Sequence, residues 1–459
     1  MNGFNNMMRH FQMKNGITRP AHWRGGRFIL VWVSLILMQI AIIPSLFAMD
    51  LKEAYTRAKE SDPLFGSAFY EHEASRTLSK QGRSFLLPQV QASSALNKYY
   101  FNNAPVYYLD YDSQTMGISL RQPILDIRKY YEYEQHNIRV GIGDVKFASA
   151  EQNLILRVAE AYFNGLAAGN LIELIDTEKK AVIEQRERAK KMFQAGVATL
   201  ADINDAEARH DSVLSQEIEA KNNLDIKLQA LKRIVGIEPD RLNLLKEDMP
   251  LSVPEPASLD GWIETAKKNN PILKSYTYQI DHQEAEINKN KGQHFPTVDL
   301  VAGYTNTNTN NYVKTDEITY GSIGLQLTMP IFSGGYTSAK VAESQATLKQ
   351  VRKEYENALS DATQKLGEAF LGIRGSIARI DALLTAVRSA SASLHSNKMG
   401  LNAGIRTTVD VLNAQRELRD VSARLLQARY DYLMNTLKLK FHAGILAADD
   451  VAMINQWLM

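Results

Sequence analysis

Two stretches decide how this chain is read: QAGVATLADINDAE (residues 194–207) and NAGIRTTVDVLNAQ (residues 402–415). They are near doubles. In each, an Ala-Gly pair interrupts a long helix-like segment, and a threonine stands three residues before an aspartate. Glycine takes positive φ without a Cβ clash, so Gly196 and Gly404 suit the residue just beyond a helix end. Thr199 with Asp202, and Thr407 with Asp410, form T-x-x-D, a relative of the capping box in which side chains satisfy free backbone N–H groups. The minimal reading is a tight helical hairpin, made twice. Capping leaves one residue unexplained: Arg406, whose counterpart in the first copy is Ala198. An arginine four residues before Asp410 pairs with it weakly within a helix, or pairs across subunits if several tips converge.

Working outward, the echo extends over most of the chain. Pro63 answers Pro271 and Pro88 answers Pro296 at an offset of 208, and Gln122-Pro123 falls against Met329-Pro330 at 207. The offset of 208 then returns for Tyr162 and Phe370, for Asp202 and Asp410, and for Gly236-Ile237 and Gly444-Ile445. A constant offset over such a distance means two copies of one unit. Residues 49–245 are expected to form the first copy and 259–445 the second. A linker at 246–258, within the proline-bearing connection 238–260, joins them, and a C-terminal tail follows at 446–459.

Within each copy, helix-like segments flank Pro63 or Pro271 and end before Pro88 or Pro296. The period then changes. Val298, Leu300, Ala302 and Tyr304 alternate with Thr297, Asp299, Gly303 and Thr305, and Ile323, Leu325, Leu327 and Met329 alternate with Ser322, Gly324, Gln326 and Thr328. Period two across a polar connection predicts a strand hairpin over about 296–330. A weaker version is expected over about 88–123, where Met116, Ile118 and Leu120 alternate with polar neighbours and QVQASSALNKYYFNN is ambiguous. The tyrosines of residues 97–111 suit an interfacial aromatic girdle, although a soluble two-stranded ribbon explains the strands equally well. Beyond each hairpin, residues 127–193 and 336–401 contain no proline, and at 1.5 Å per residue such helices approach about 100 Å. Their apolar residues recur at three and four, which suits coiled-coil packing. Ser333 is expected to cap the second long helix, which would account for Gly334 and Gly335.

The ends and the composition bound the address. Arg9, Lys14, Arg19, Arg24 and Arg27 precede the apolar run FILVWVSLILMQIAIIPSLFA (residues 28–48), the layout of a signal peptide over 1–48. The competing reading is a retained anchor, since about 20 apolar residues span a bilayer. No other run of that length occurs, so a mature chain that enters a membrane must do so as a β-barrel. Four strands cannot close one, because the smallest need about eight, so such a chain must oligomerise. Net charge over 459 residues is +2, which offers nucleic acid no basic surface. With no cysteine there is no disulfide, thiolate metal site, cysteine nucleophile or lipidated N-terminal cysteine. The nine histidines show no H-x-x-x-H spacing, and neither a G-x-S-x-G elbow nor a phosphate loop is present, so no cofactor, metal site or enzymatic activity is expected.

TTVDVLNAQRELRDVSARLLQARYDYLMNTLKLKFHAG (residues 407–444) resembles the C-terminal helix of the TolC family of outer-membrane channel-tunnel proteins, especially members serving type I secretion. MDLKEAYTRAKESDP (residues 49–63), MPIFSGG (residues 329–335) and both Ala-Gly hairpins share the resemblance, which spans about 49–445. It implies a mainly α chain with a small β part. Long antiparallel coiled-coil helices would build a periplasmic α-barrel, and four strands per chain would enter a twelve-stranded transmembrane barrel in a homotrimer embedded in outer-membrane lipid. Function is then that of an exit duct in a tripartite machine, with a periplasmic adaptor and an inner-membrane transporter as partners, passing protein or small toxic compounds out of a Gram-negative cell. The resemblance further implies that Asp202 and Asp410 line a constriction where the tips converge, and that Arg406 belongs to its restraining network. Adaptors would dock on Ala195, Gly196 and Val197 and on Ala403, Gly404 and Ile405. Asn413 replaces a second aspartate and Leu401 a tyrosine of the best-known members. Six carboxylates converging in a trimer would favour cations and raise one another's pKa values. The alternative from another class is a membrane-anchored periplasmic coiled-coil adaptor or structural protein with a soluble hairpin.

Overall fold

The computed structural model describes residues 48–100, 110–311 and 314–459. The leader expected at 1–48 lies outside them except for Ala48, and so do Tyr107 and Tyr108 of the expected girdle. Among the described residues no helix is long and apolar enough to cross a membrane.

Three short helices open the chain: α1 (Leu51–Ser61), α2 (Pro63–Arg76) and α3 (Leu78–Ser84). Asp50 and Asp62 cap the first two, and Pro63 occupies the first turn of α2, where its missing N–H costs nothing. The helix expected to run on to Pro88 breaks at Thr77, whose hydroxyl bonds back to the Ala74 carbonyl at 2.7 Å. Strands β1 (Gln89–Tyr99) and β2 (Tyr111–Leu125) follow, then the 68-residue helix α4 (Ile127–Gln194) and α5 (Leu200–Val235). The order then repeats: α6 (Leu259–Asn269), α7 (Pro271–Lys291), β3 (Thr297–Asn311), β4 (Lys314–Thr328), the 67-residue α8 (Tyr336–Asn402) and α9 (Thr408–Ala443), with a last helix α10 (Ala448–Asn455).

One expected cap is corrected. Helix α8 starts at Tyr336 with Gly335 at its N-cap, and Gly334 and Gly335 both lie in the left-handed region, at φ +62° and +83°. Two such residues in succession require glycine and carry the chain past Ser333 before the helix begins. The Ser333 hydroxyl instead bonds that of Thr337, at 3.1 Å.

The main core forms a belt around the middle of the long helices. Leu51, Ala54 and Tyr55 of α1 and Trp262 of α6 pack against Leu154, Val158, Tyr162, Leu366, Ile373, Leu433 and Leu437. The two segments read as a linker and a tail meet in this belt. Leu244 and Lys246 donate to the Met459 and Trp457 carbonyls at 3.0 and 2.9 Å, while Leu245, Met249, Val451 and Ile454 are buried. A coiled-coil seam alone is narrow, so these short elements supply the bulk that anchors two long hairpins to each other.

The four strands form one antiparallel sheet in the order β1-β2-β3-β4, joining the two copies through β2 and β3. Register sorts its side chains into two faces. Leu300 pairs with Leu325, Ala302 with Ile323, Tyr304 with Ile118 and Asn306 with Met116, which collects an apolar face over four strands with Val90 and Leu96 at the β1 edge. Its apolar part, Val298 to Tyr304 on β3, runs about 20 Å along the strand at 3.3 Å per residue, which the tilt of outer-membrane strands turns into about 15 Å of height. Toward the hairpin ends polar residues take over this face: Asn306 Nδ2 donates to Glu317 Oε1 (2.8 Å) and Thr319 Oγ1 (2.7 Å). Gln91, Ser93, Thr115, Ser119, Thr305, Thr307, Ser322 and Gln326 line the opposite face, where Arg121 pairs with Asp299 at 3.2 Å. Tyr99 and Tyr111 are register partners with rings stacked at 4.8 Å, and they fall on this polar face. The girdle reading is therefore corrected for them. Tyr304, 61% exposed where the apolar band gives way to Asn306, has the position that an interfacial tyrosine needs.

Candidate gate and barrel surface

Each helical hairpin ends in the same backbone device. In the first, Ala195 N–H bonds Lys191 O (3.1 Å), Gly196 N–H bonds Phe193 O (2.9 Å) and Val197 N–H bonds Met192 O (2.9 Å). In the second, Ala403 bonds Met399 O (3.0 Å), Gly404 bonds Leu401 O (3.2 Å) and Ile405 bonds Gly400 O (2.9 Å). Gly196 and Gly404 both sit at φ +75°, the left-handed residue of a Schellman turn, which only glycine adopts cheaply. Val197 and Ile405 then project into solvent, 68% and 79% exposed.

The next helix starts on a reciprocal cap. Thr199 Oγ1 accepts from Asp202 N–H at 3.3 Å, and Asp202 Oδ2 accepts from the Thr199 N–H and hydroxyl, each at 2.8 Å. Thr407 and Asp410 repeat this at 3.2, 2.8 and 2.9 Å. These bonds favour the ionised carboxyl. The Thr199 backbone and side chain hold Asp202 below the ordinary carboxylate value, and those of Thr407, with the Arg406 charge, do the same for Asp410. Within one chain, the cap thus acts on each carboxyl in the direction opposite to the repulsion expected among the six of a trimer.

Arg406 has a packing role that spacing could not reveal. Its Cγ lies 2.6 Å from where a Cβ on Gly400 would stand, so the arginine stem crosses the bare backbone of α8, and Arg406 N–H reaches the Gly400 carbonyl at 3.2 Å. The corresponding pair in the first copy is Met192 and Ala198, large and small exchanged. Among the described residues no ion pair holds the Arg406 guanidinium. Asn413 is exposed one turn along α9 from Asp410, while Leu401 is buried with Leu394 and Val411 beneath the second tip. The hairpins of the two copies touch near their ends, where Arg188 Nη1 donates to Asn402 Oδ1 at 2.8 Å. Sequence reasoning missed this bond and a buried ion cluster higher up, because one charged residue among many on a coiled coil carries no sign of its partner.

The family described as Outer membrane efflux protein matches residues 54–237 and 262–444, one stretch in each copy. The chain belongs to that family. It is 30% identical over 424 residues to the alkaline protease secretion protein AprF of Pseudomonas aeruginosa, covering 89% of this chain and 87% of AprF. It is likewise 30% identical over 418 residues to the outer membrane protein TolC of Vibrio cholerae, covering 90% of this chain and 95% of that one. Among solved structures, the CmeC outer membrane channel of Campylobacter jejuni superimposes with a TM-score of 0.75 at 17% identity, over 90% of each chain. The fold is therefore that of the outer-membrane channels, in which a helical tunnel continues a β-barrel, and the protein is an outer-membrane protein. The apolar sheet face then meets lipid and the polar face, with Arg121 and Asp299, lines the lumen. A soluble ribbon on an anchored adaptor has no place in this arrangement.

Proposed function

We propose that three copies of this chain assemble into an exit duct that carries cargo from an inner-membrane translocase across the periplasm and outer membrane. The observation that carries this reading is the two-faced sheet with free outer edges on β1 and β4, set on helices about 100 Å long. One sheet cannot bury its edges in lipid, and three sheets joined edge to edge make twelve strands. Similarity to an alkaline protease secretion protein and to TolC supports secreted protein as cargo. The same duct geometry passes small toxic compounds.

In this assembly the six tips close the periplasmic end. Asp202, Asp410 and Asn413 face the constriction, and Arg406, spread over Gly400, restrains it. The exposed Val197 and Ile405, presented by Ala195-Gly196 and Ala403-Gly404, are the apolar knobs on which a periplasmic adaptor docks. The test is Gly404→Val. A β-branched residue at φ +75° costs about 1–2 kcal/mol and distorts the turn, so export is lost while purified protein still forms its barrel and inserts into planar bilayers. Undiminished export with normal assembly would remove the tip from the docking surface.

A further inference from the structure

One carboxylate stands apart from the surface charges of the long helices. Glu178 of α4 is 1% exposed, and it accepts from Arg209 Nη2 of α5 and from Arg419 Nη1 of α9. Arg419 also donates to Gln216 Oε1 of α5 at 2.6 Å and to the adjacent Asp420 at 2.8 Å. At the same level Lys179 and Lys221 hold Glu217, whose carboxyl they pull down to about 2. Two helices of the first copy and one of the second thus share a single buried cluster. Glu178 precedes Gly196 by eighteen residues, and Arg419 follows Gly404 by fifteen, which sets the cluster about 25 Å from the tips at 1.5 Å per residue. Duplication does not produce it: at the offset of 208, Ala386 stands for Glu178 and Glu417 for Arg209, and Asp211 stands for Arg419.

A buried ion cluster adds little net stability, because desolvation offsets attraction, and its best-attested use is to specify register. The surrounding seam of Ile175, Val182, Val213 and Leu412 is apolar and tolerates sliding. The cluster does not, since moving α9 by one turn, about 5.4 Å, carries the Arg419 guanidinium away from Glu178 and Gln216 and leaves the buried carboxylate to Arg209. We propose that Glu178, Arg209 and Arg419 form a clasp that fixes the axial register of the second hairpin against the first and confines movement of the periplasmic end to the segment below it. The bearing on export rests on the exit-duct reading, whereas the clasp itself does not.

Because the chain has no cysteine, Arg188→Cys with Asn402→Cys supplies one pair for a short bis-methanethiosulfonate crosslinker, and the intrachain yield reports tip register. Adding Glu178→Gln should lower that yield at least threefold. Adding Glu178→Met, Arg209→Met and Arg419→Met together, which replaces the ions by apolar volume, should lower it as much, with assembly checked by native mass. An undiminished yield in either assembled variant overturns the clasp, and failure of both to assemble overturns it in favour of a plain stabilising role. Single-channel conductance of the same preparations separates the two readings. Lower yield with raised conductance ties the clasp to the closed end; lower yield with unchanged conductance upholds the clasp and counts against the closed-end reading.

Discussion

The two hairpin tips use the same backbone chemistry and opposite packing. Their Schellman turns and capping boxes agree bond for bond, the capping distances to within 0.1 Å. Around that shared frame the side chains diverge. Phe193 is 43% exposed where its counterpart Leu401 is 6% exposed, and Leu200 is 60% exposed where Thr408 is 8% exposed. The second tip closes on its own chain through Leu394, Leu401 and Val411, and the first leaves apolar residues uncovered. Duplication therefore preserved what the turn requires and released everything else. In an assembly of six tips, the first tip of each chain thus offers a neighbour Phe193 and Leu200 in addition to Val197, the counterpart of the exposed Ile405.

The sharpest way to break this contrast is to truncate both counterparts. Leu401→Ala removes a buried side chain from a small cluster and should cost about 2–3 kcal/mol of local stability, read as faster amide exchange over residues 394–411. Phe193→Ala should stay within about 0.5 kcal/mol in a single chain. Equal losses would mean that the first tip is buried as deeply as the second. The shared half is probed by the caps: Thr199→Ala and Thr407→Ala should each cost about 1 kcal/mol, with equal fraying of the first turns of α5 and α9.

A smaller effect separates the aspartates. Both have folded pKa values below the ordinary carboxylate value, so their contribution is complete above that value and is lost as pH falls through the depressed one. Arg406→Ala should raise the Asp410 pKa and move acid fraying of the second tip to higher pH, leaving Asp202 unchanged. Carboxyl-carbon NMR titration measures both, and an unmoved Asp410 would leave Arg406 with its packing role over Gly400 alone.

What was legible in the sequence was local. Glycine at a left-handed turn, threonine three residues before aspartate and proline at a first helical turn each fix a conformation within a few residues, so helix ends and tips could be read directly. Period two revealed β3 and β4, and the duplication located β1 and β2 despite their weaker pattern. The rest depended on register or on distant partners. Which face Tyr99 and Tyr111 occupy follows from pairing with β2 and β3, and the order of strands across the two copies has no local signature. Ser333 resembled a cap because nothing local showed that two successive glycines would both turn left-handed. Glu178 resembled every other glutamate on a charged coiled coil, since its partners lie 31 and 241 residues away.

The central claim is that one chain supplies a third of a closed barrel, and the native mass of the detergent-solubilised protein tests it most directly. The account predicts three chains per particle, because the free edges of β1 and β4 must be paired in lipid. A particle containing one chain would contradict it.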